Sequence, residues 1–254
     1  MKFISFFHQF KALRQIAKVI GGNINIKQKF YSGYIFLNAV EHSWAWTGDR
    51  NYNNFDLPIQ QYIHKSAVGR DIFVDIGSNI GVMTLGTLLN NNMIKAVAID
   101  PNKDAIKLLN KSLIYNKISD RCITINAVVG DYDGKIKFDS TGSVTGHVSK
   151  TGKEVSVIKL SSILNQYKDL KTLVKVDIEG YETQIIKELE KIENLNNFKF
   201  IIELHPLGFN DVGNPEYVFN LFKNLNGKIS DLNGVELTSI NQNDISQISV
   251  EFID

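Results

Sequence analysis

The chain has 254 residues, of which 43% are hydrophobic and 22% charged, and that length fits one α/β domain with a small addition. A net charge of +1 leaves no global basic footprint for nucleic acid, and the single Cys122 excludes an internal disulfide and favours a reducing cytoplasm. No apolar run approaches the ~20 residues that span a bilayer, and His8, Gln9 and Lys11 interrupt the first apolar stretch too early for a signal peptide.

Residues 3–20 predict an amphipathic helix. Phe3, Phe6, Phe7, Phe10, Leu13, Ala17 and Ile20 recur at helical spacing, while Lys11, Arg14 and Lys18 lie off that stripe. Such a face packs on its own domain or makes peripheral contact with an anionic membrane surface. Residues 24–40 predict a hairpin turning at Tyr31-Ser32-Gly33. A polar, aromatic loop from His42 to Asn54 carries Trp44 and Trp46, a composition that serves either as a ligand cap or as plain structure. A helix is predicted over 57–67.

From Asp71 onward strands alternate with helices, the signature of βαβ units and a parallel sheet. Ile72-Phe73-Val74 reads as a buried strand, followed by a turn in which Gly77 is free to take positive φ and Gly81 admits a close approach. Such a turn aims backbone N–H groups and the positive end of a helix at a ligand. Asp75, just before it, is placed to accept from loop amides or a bound cation. A pyrophosphate fingerprint needs Gly-x-Gly-x-x-Gly. Here Asn79 and Val82 stand at its second and third glycine positions. The spacing instead matches Asp/Glu-x-Gly-x-x-x-Gly, the first motif of S-adenosylmethionine methyltransferases, whose cofactor carries no phosphate.

The second strand, 96–99, ends in Asp100-Pro101-Asn102. Asp100 lies about 20 residues past the glycine turn, where an acidic side chain pairs with ribose hydroxyls, and Asn102 is a ready N-cap. The third strand, 123–129, carries Asn126 and Ala127 where an adenine edge would lie. A hairpin of 134–138 with 154–158 follows, enclosing a small, hydroxyl-rich loop at 140–149 close to the site. In the fourth strand Lys175, Asp177 and Glu179 share one side if the chain stays extended. A parallel strand covered on both faces should read as a continuous apolar run. The charges therefore mark a cleft or an internal ion pair, and we read a cleft because they fall toward the carboxyl end. The fifth strand, 198–204, brings Glu203 and His205 to one face at its tip. His205 reads equally as a structural histidine or a substrate contact. A helix at 215–225 and strands at 227–240 and 246–253 close the chain.

With these residues placed, 71–206 resembles the FkbM-type methyltransferases. The matching pieces are Phe73-Val74-Asp75-Ile76-Gly77-Ser78-Asn79-Ile80-Gly81, Asp100-Pro101-Asn102, Asn126-Ala127-Val128, Lys175-Val176-Asp177-Ile178-Glu179-Gly180-Tyr181-Glu182 and Glu203-Leu204-His205-Pro206. The family commonly carries Glu where Asp100 stands. Residues 1–55 and the C-terminal tail match no family feature, and we read 1–70 from its residues as an N-terminal helix, hairpin and substrate-side cap extending the domain at 71–254. The resemblance implies that this domain binds S-adenosylmethionine on a class I, Rossmann-like α/β fold, a mostly parallel seven-stranded sheet with helices on both faces. It further implies O-methylation of a sugar, glycan or secondary-metabolite hydroxyl. By motif, Asp75, Gly77, Ser78, Asn79 and Gly81 would hold the methionine part, Asp100 with Pro101 the ribose side, and Asn126 and Ala127 the adenine.

Methyl transfer from a sulfonium is an in-line displacement, so alignment and a general base are the two requirements. The candidate base is His205, Asp177 or Glu203, with Lys175 neutralising Asp177 or a developing alkoxide. A divalent cation on Asp177 and Glu203 is a further reading that the sequence leaves undecided. The rivals are an NAD-dependent oxidoreductase, which shares the turn and Asp100, and a non-catalytic nucleotide-binding module. A nucleic-acid base methyltransferase is disfavoured, because no Asn/Asp-Pro-Pro-aromatic box follows the fourth strand.

Overall fold

The computed structural model describes residues 24–42, 51–139, 147–148, 152–206, 214–241 and 243–253. The expected helix at 3–20, the tryptophan pair and nearly all of the hydroxyl-rich loop lie outside them. In chain order come β1 (Asn25–Phe30), β2 (Gly33–Asn38), α1 (Leu57–Ser66), β3 (Ile72–Ile76), α2 (Val82–Asn90), β4 (Lys95–Ile99), α3 (Lys103–Tyr115) and β5 (Cys122–Ile125). Then follow β6 (Val128–Gly130), β7 (Gly134–Asp139), β8 (His147–Val148), β9 (Lys153–Lys159), α4 (Leu160–Leu164) and β10 (Thr172–Val176). The last elements are α5 (Glu182–Ile185), β11 (Phe198–Leu204), α6 (Pro215–Asn224), β12 (Gly227–Ser230) and β13 (Ser246–Phe252). Among the described residues no helix is long and apolar enough to cross a membrane.

The main sheet has seven strands in the order β12-β13-β11-β10-β3-β4-β5. The five from β11 to β5 are parallel; β13 runs against them, and β12, antiparallel to β13, runs with them. Alternation along the strands divides two cores. Ile72, Val74, Ile76, Val174 and Val176 join residues of α4, α5 and α6 on one face. Phe73 and Leu173 join residues of α1, α2, α3 and the β1–β2 hairpin on the other. The hairpin is tied to α3, since Phe36 N donates to Ser112 Oγ and Tyr34 N to Asn116 Oδ1, each at 2.9 Å. Strand order reverses between β3 and β10, which puts the ligand crevice of an open α/β sheet outside their carboxyl ends.

Three local expectations are corrected. The hairpin pairs Phe30 with Gly33, so its turn is the two residues Tyr31-Ser32. The predicted strand 123–129 breaks at Asn126, whose amide donates at 2.9 Å to both Asp100 O and Pro101 O. The chain then leaves as β6 for a second sheet, ordered β6-β9-β7-β8. The predicted strand 227–240 stops at Ser230, because Asp231 Oδ1 accepts from Asn233 N and Val235 N and Gly234 takes φ +84°.

Candidate active site

The cofactor side is built on the turn after β3. Gly77 and Gly81 adopt φ +79° and +85°, and Asn79 sits at +50°, a left-handed conformation that Asn tolerates. A Cβ at Gly77 would overlap the carbonyl oxygen of Asp177, and one at Gly81 would overlap Leu109 of α3. Gly77 is thus what lets the turn lie directly against the tip of β10. Asp100 reaches the same turn, its Oδ2 accepting from Asn79 N at 2.8 Å and its Oδ1 from Asn102 N at 2.7 Å. Burial pushes its carboxyl up to about 6, against the pull of those two amides. The buried hydroxyl of Ser78 has no hydrogen-bond partner, a group left for a ligand to satisfy. Asn126 is exposed beside Pro101, whereas Ala127 is packed in the core.

Asp75 is fully buried, and its Oδ1 has no hydrogen-bond partner. The cation it meets is a side chain of the same protein: Lys175 Nζ lies 3.9 Å away, and Thr84 Oγ1 donates at 2.6 Å. The cause is the sheet register, which sets Lys175 beside Asp75 on adjacent parallel strands. Lys175 is 3% exposed and donates to Asp177 Oδ2 at 2.9 Å. Burial opposes its charge, but Asp177 and Asp75 more than offset this and raise its pKa. For Lys175, then, the internal ion pair is correct and the cleft is not. The cleft reading holds for Asp177, whose side chain is 28% exposed.

The extended run ends at Val176, and Glu179 (φ +57°) and Gly180 (φ +104°) turn the chain. This throws Glu179 off the face of Lys175 and Asp177. It still reaches His205, with Oε2 3.6 Å from Nε2. Glu203 and His205 meet at the β11 tip as their spacing predicts, Oε1 to Nε2 being 3.6 Å. One ligand atom each from Asp177, Glu203 and His205 falls within a 4.8 Å span. Burial, followed by the charge of Asp177, raises the Glu203 carboxyl. Burial lowers the His205 imidazole, but its bond to Glu182 and the charges of Glu182, Asp177 and Glu179 lift it to about 9.

Two residues that organise this cluster were not singled out by sequence. Glu182 is fully buried, accepts from Ile178 N at 2.9 Å and Gly180 N at 3.1 Å, and holds His205 Nδ1 at 3.0 Å. Its signal was a carboxylate just past a Gly turn, where it can collect loop amides. Gln247, opposite Glu203 in the register, donates to Glu203 Oε2 at 2.7 Å and to Asp56 Oδ2 at 3.3 Å.

A parallel sheet reversing beside a glycine turn, with an acid at the next strand tip, is a Rossmann-like α/β fold with a nucleoside-type site. Residues 75–246 match the methyltransferase FkbM domain, and the chain belongs to that family of S-adenosylmethionine-dependent methyltransferases. This decides against the NAD-dependent and non-catalytic readings. No curated protein matches the chain. Similar solved structures include the tRNA m1G37 methyltransferase of M. jannaschii, with 14% identity over 90% of this chain and 54% of that one and a TM-score of 0.47. M. jannaschii TYW2 in complex with AdoMet has 12% identity over 90% and 87%, at 0.49. Precorrin-6y C5,15-methyltransferase from Geobacter metallireducens GS-15 has 7% identity over 77% and 88%, at 0.45. The chain spans about half the length of the first of these.

Proposed function

We propose that this protein methylates a hydroxyl oxygen of a sugar, glycan or secondary metabolite. The observation that carries the reading is the juxtaposition at Gly77: the turn that would receive the cofactor touches the backbone of Asp177, which begins the ionisable cluster. S-adenosylmethionine supplies a methyl group activated by positively charged sulfur. Gly77, Ser78, Asn79 and Gly81 would line its methionine part over the buried Asp75. Asp100 would accept from the ribose hydroxyls, with Pro101, Asn126 and Ala127 bordering the adenine.

The acceptor hydroxyl meets Asp177 and Glu203. With its pKa near 9, His205 is an imidazolium at neutral pH, so the base role passes to the carboxylates. Glu203, raised and partly buried, is the better matched of the two. Lys175 compensates Asp177 from below. A groove of about 510 Å³ adjoins Glu203 through Gln247, its walls combining Asp231, Ser239, Asn241 and Ser246 with the apolar Leu237, Ile240 and Ile248. Its hydroxyl, amide and carboxylate groups suit a hydroxylated acceptor. An acidic cluster repels phosphate, which supports a small-molecule or glycan acceptor over nucleic acid. We keep residues 1–70 as the substrate-side cap, from which Asp56 reaches Gln247, and a cytoplasmic location on the strength of the single Cys122.

The test is S-adenosylhomocysteine release against nucleotide sugars, glycans, small hydroxylated metabolites and tRNA. Turnover with a hydroxylated acceptor, giving an O-methyl product, is expected. Turnover with tRNA alone, or methylation at nitrogen, would overturn the reading.

A further inference from the structure

The tips of β10 and β11 gather more negative charge than they neutralise. Asp75, Asp177, Glu179, Glu182 and Glu203 surround the site, and Lys175, paired to Asp177 and Asp75, is the fixed cation among them. The arrangement is more specific than an acidic patch, because it contains an oriented imidazole. His205 is 8% exposed. Its Nδ1 is 3.0 Å from Glu182 Oε1, and Glu182 is itself pinned by the amides of Ile178 and Gly180. That bond holds a proton on Nδ1, so Nε2 is the ring nitrogen that gives up its proton and turns a lone pair outward. Among the described residues Nε2 makes no hydrogen bond; its neighbours are the carboxylates of Glu203 and Glu179, both at 3.6 Å. A buried carboxylate orienting one ring nitrogen while the other is presented to oxygen donors is the arrangement that surrounds protein-bound divalent metals.

We propose that Asp177, Glu203 and His205 Nε2 bind one divalent transition-metal ion, with Glu182 as the residue that orients His205. The inference rests on the acceptor oxygen meeting this cluster and deepens that reading; with an ion bound, Glu203 is a ligand and its base role applies to the ion-free site alone. The three donor atoms lie within 4.8 Å of one another. Donors about 2.1 Å from a shared ion sit up to about 4.2 Å apart, so a small rotation of partly exposed Asp177 completes the site. One imidazole and two carboxylates suit Mn²⁺ or Zn²⁺ better than Ca²⁺ or Mg²⁺, which favour all-oxygen shells. Asp177 has Oδ1 left when Oδ2 holds Lys175, and Glu203 has Oε1 left when Oε2 holds Gln247. Three protein donors leave coordination positions for water or an acceptor hydroxyl. The ion displaces the Nε2 proton on binding.

The experiment is a titration of the chelator-stripped full chain with Mn²⁺, following free Mn²⁺ by electron paramagnetic resonance. S-adenosylmethionine binding is measured by calorimetry on the same samples. One saturable Mn²⁺ per chain is expected. Glu203→Gln should weaken it at least about tenfold by removing a ligand charge, and Glu182→Gln about 10–100-fold by releasing the imidazole. Lys107→Ala, at an exposed side chain of α3, should leave it unchanged. Retained cofactor binding identifies a folded variant; should Glu203→Gln not fold, Asp177→Asn is read by the same criterion. Absence of saturable Mn²⁺ binding to wild type, or equal binding to the ligand variants, overturns the metal site. If cofactor binding persists in that case, the methyltransferase reading stands. If wild type binds Mn²⁺ but no S-adenosylmethionine, it is the parent reading that fails.

Discussion

The two halves of the site lie along the carboxyl end of one sheet and handle charge in opposite ways. Around the glycine turn most carboxylate oxygens are already answered: Asp75 Oδ2 by Thr84, with Lys175 3.9 Å from an Oδ1 that has no hydrogen bond, and Asp100 by the amides of Asn79 and Asn102. At the tips of β10 and β11, Asp177, Glu179, Glu203 and Glu182 crowd around His205, and the Lys175 cation lies beneath them. The first half is prebuilt and close to neutral, as suits a cofactor common to a family. The second is electrostatically unfinished and receives what completes it. Lys175 belongs to both, so the contrast is sharpest there.

Removing that shared cation should have the largest effect. Lys175→Met leaves Asp75 and Asp177 uncompensated, and breaking a buried pair from one side costs about 3–5 kcal/mol. Urea unfolding should show the midpoint falling accordingly, and an unchanged midpoint would mean Asp75 is neutral without it. Gly77→Ala forces a Cβ into left-handed backbone and against the Asp177 carbonyl. It should cost about 1–3 kcal/mol in thermal unfolding and weaken cofactor binding, joining the two halves' fates.

A smaller effect separates the halves by pH. Asp100 is raised from 3.8 to about 6, so the cofactor-free fold gains stability from its proton below about pH 4 and loses that gain as pH rises through 6. Ribose hydroxyls donate to the ionised carboxylate. Cofactor affinity should therefore be full above pH 6 and fall by up to about tenfold per pH unit below it. Calorimetry across that range checks this, and Asp100→Asn should flatten the profile.

How much of this could be read in advance depended on the range of each interaction. The glycine turn was legible because positive φ and close approach restrict residue choice locally. The meeting of Asp100 with the turn followed from strand order alone. Lys175 was misread because alternation shows which face a residue takes, while its partner Asp75 is set by the register of another strand. Gln247 was invisible for the same reason, lying 44 residues from Glu203 across an antiparallel pair. Glu182 looked like an ordinary acid opening a helix, and its grip on His205 required the fold. The break at Asn126 came from one side-chain amide finding two carbonyls, a bond no propensity records.

The claim that the two halves are distinct is tested most directly by S-adenosylmethionine calorimetry on wild type, Asp100→Asn and Glu203→Gln. One cofactor should bind per wild-type chain, about tenfold more weakly in Asp100→Asn and within about twofold of wild type in Glu203→Gln. No binding to wild type, or an equal loss in both variants, would contradict it.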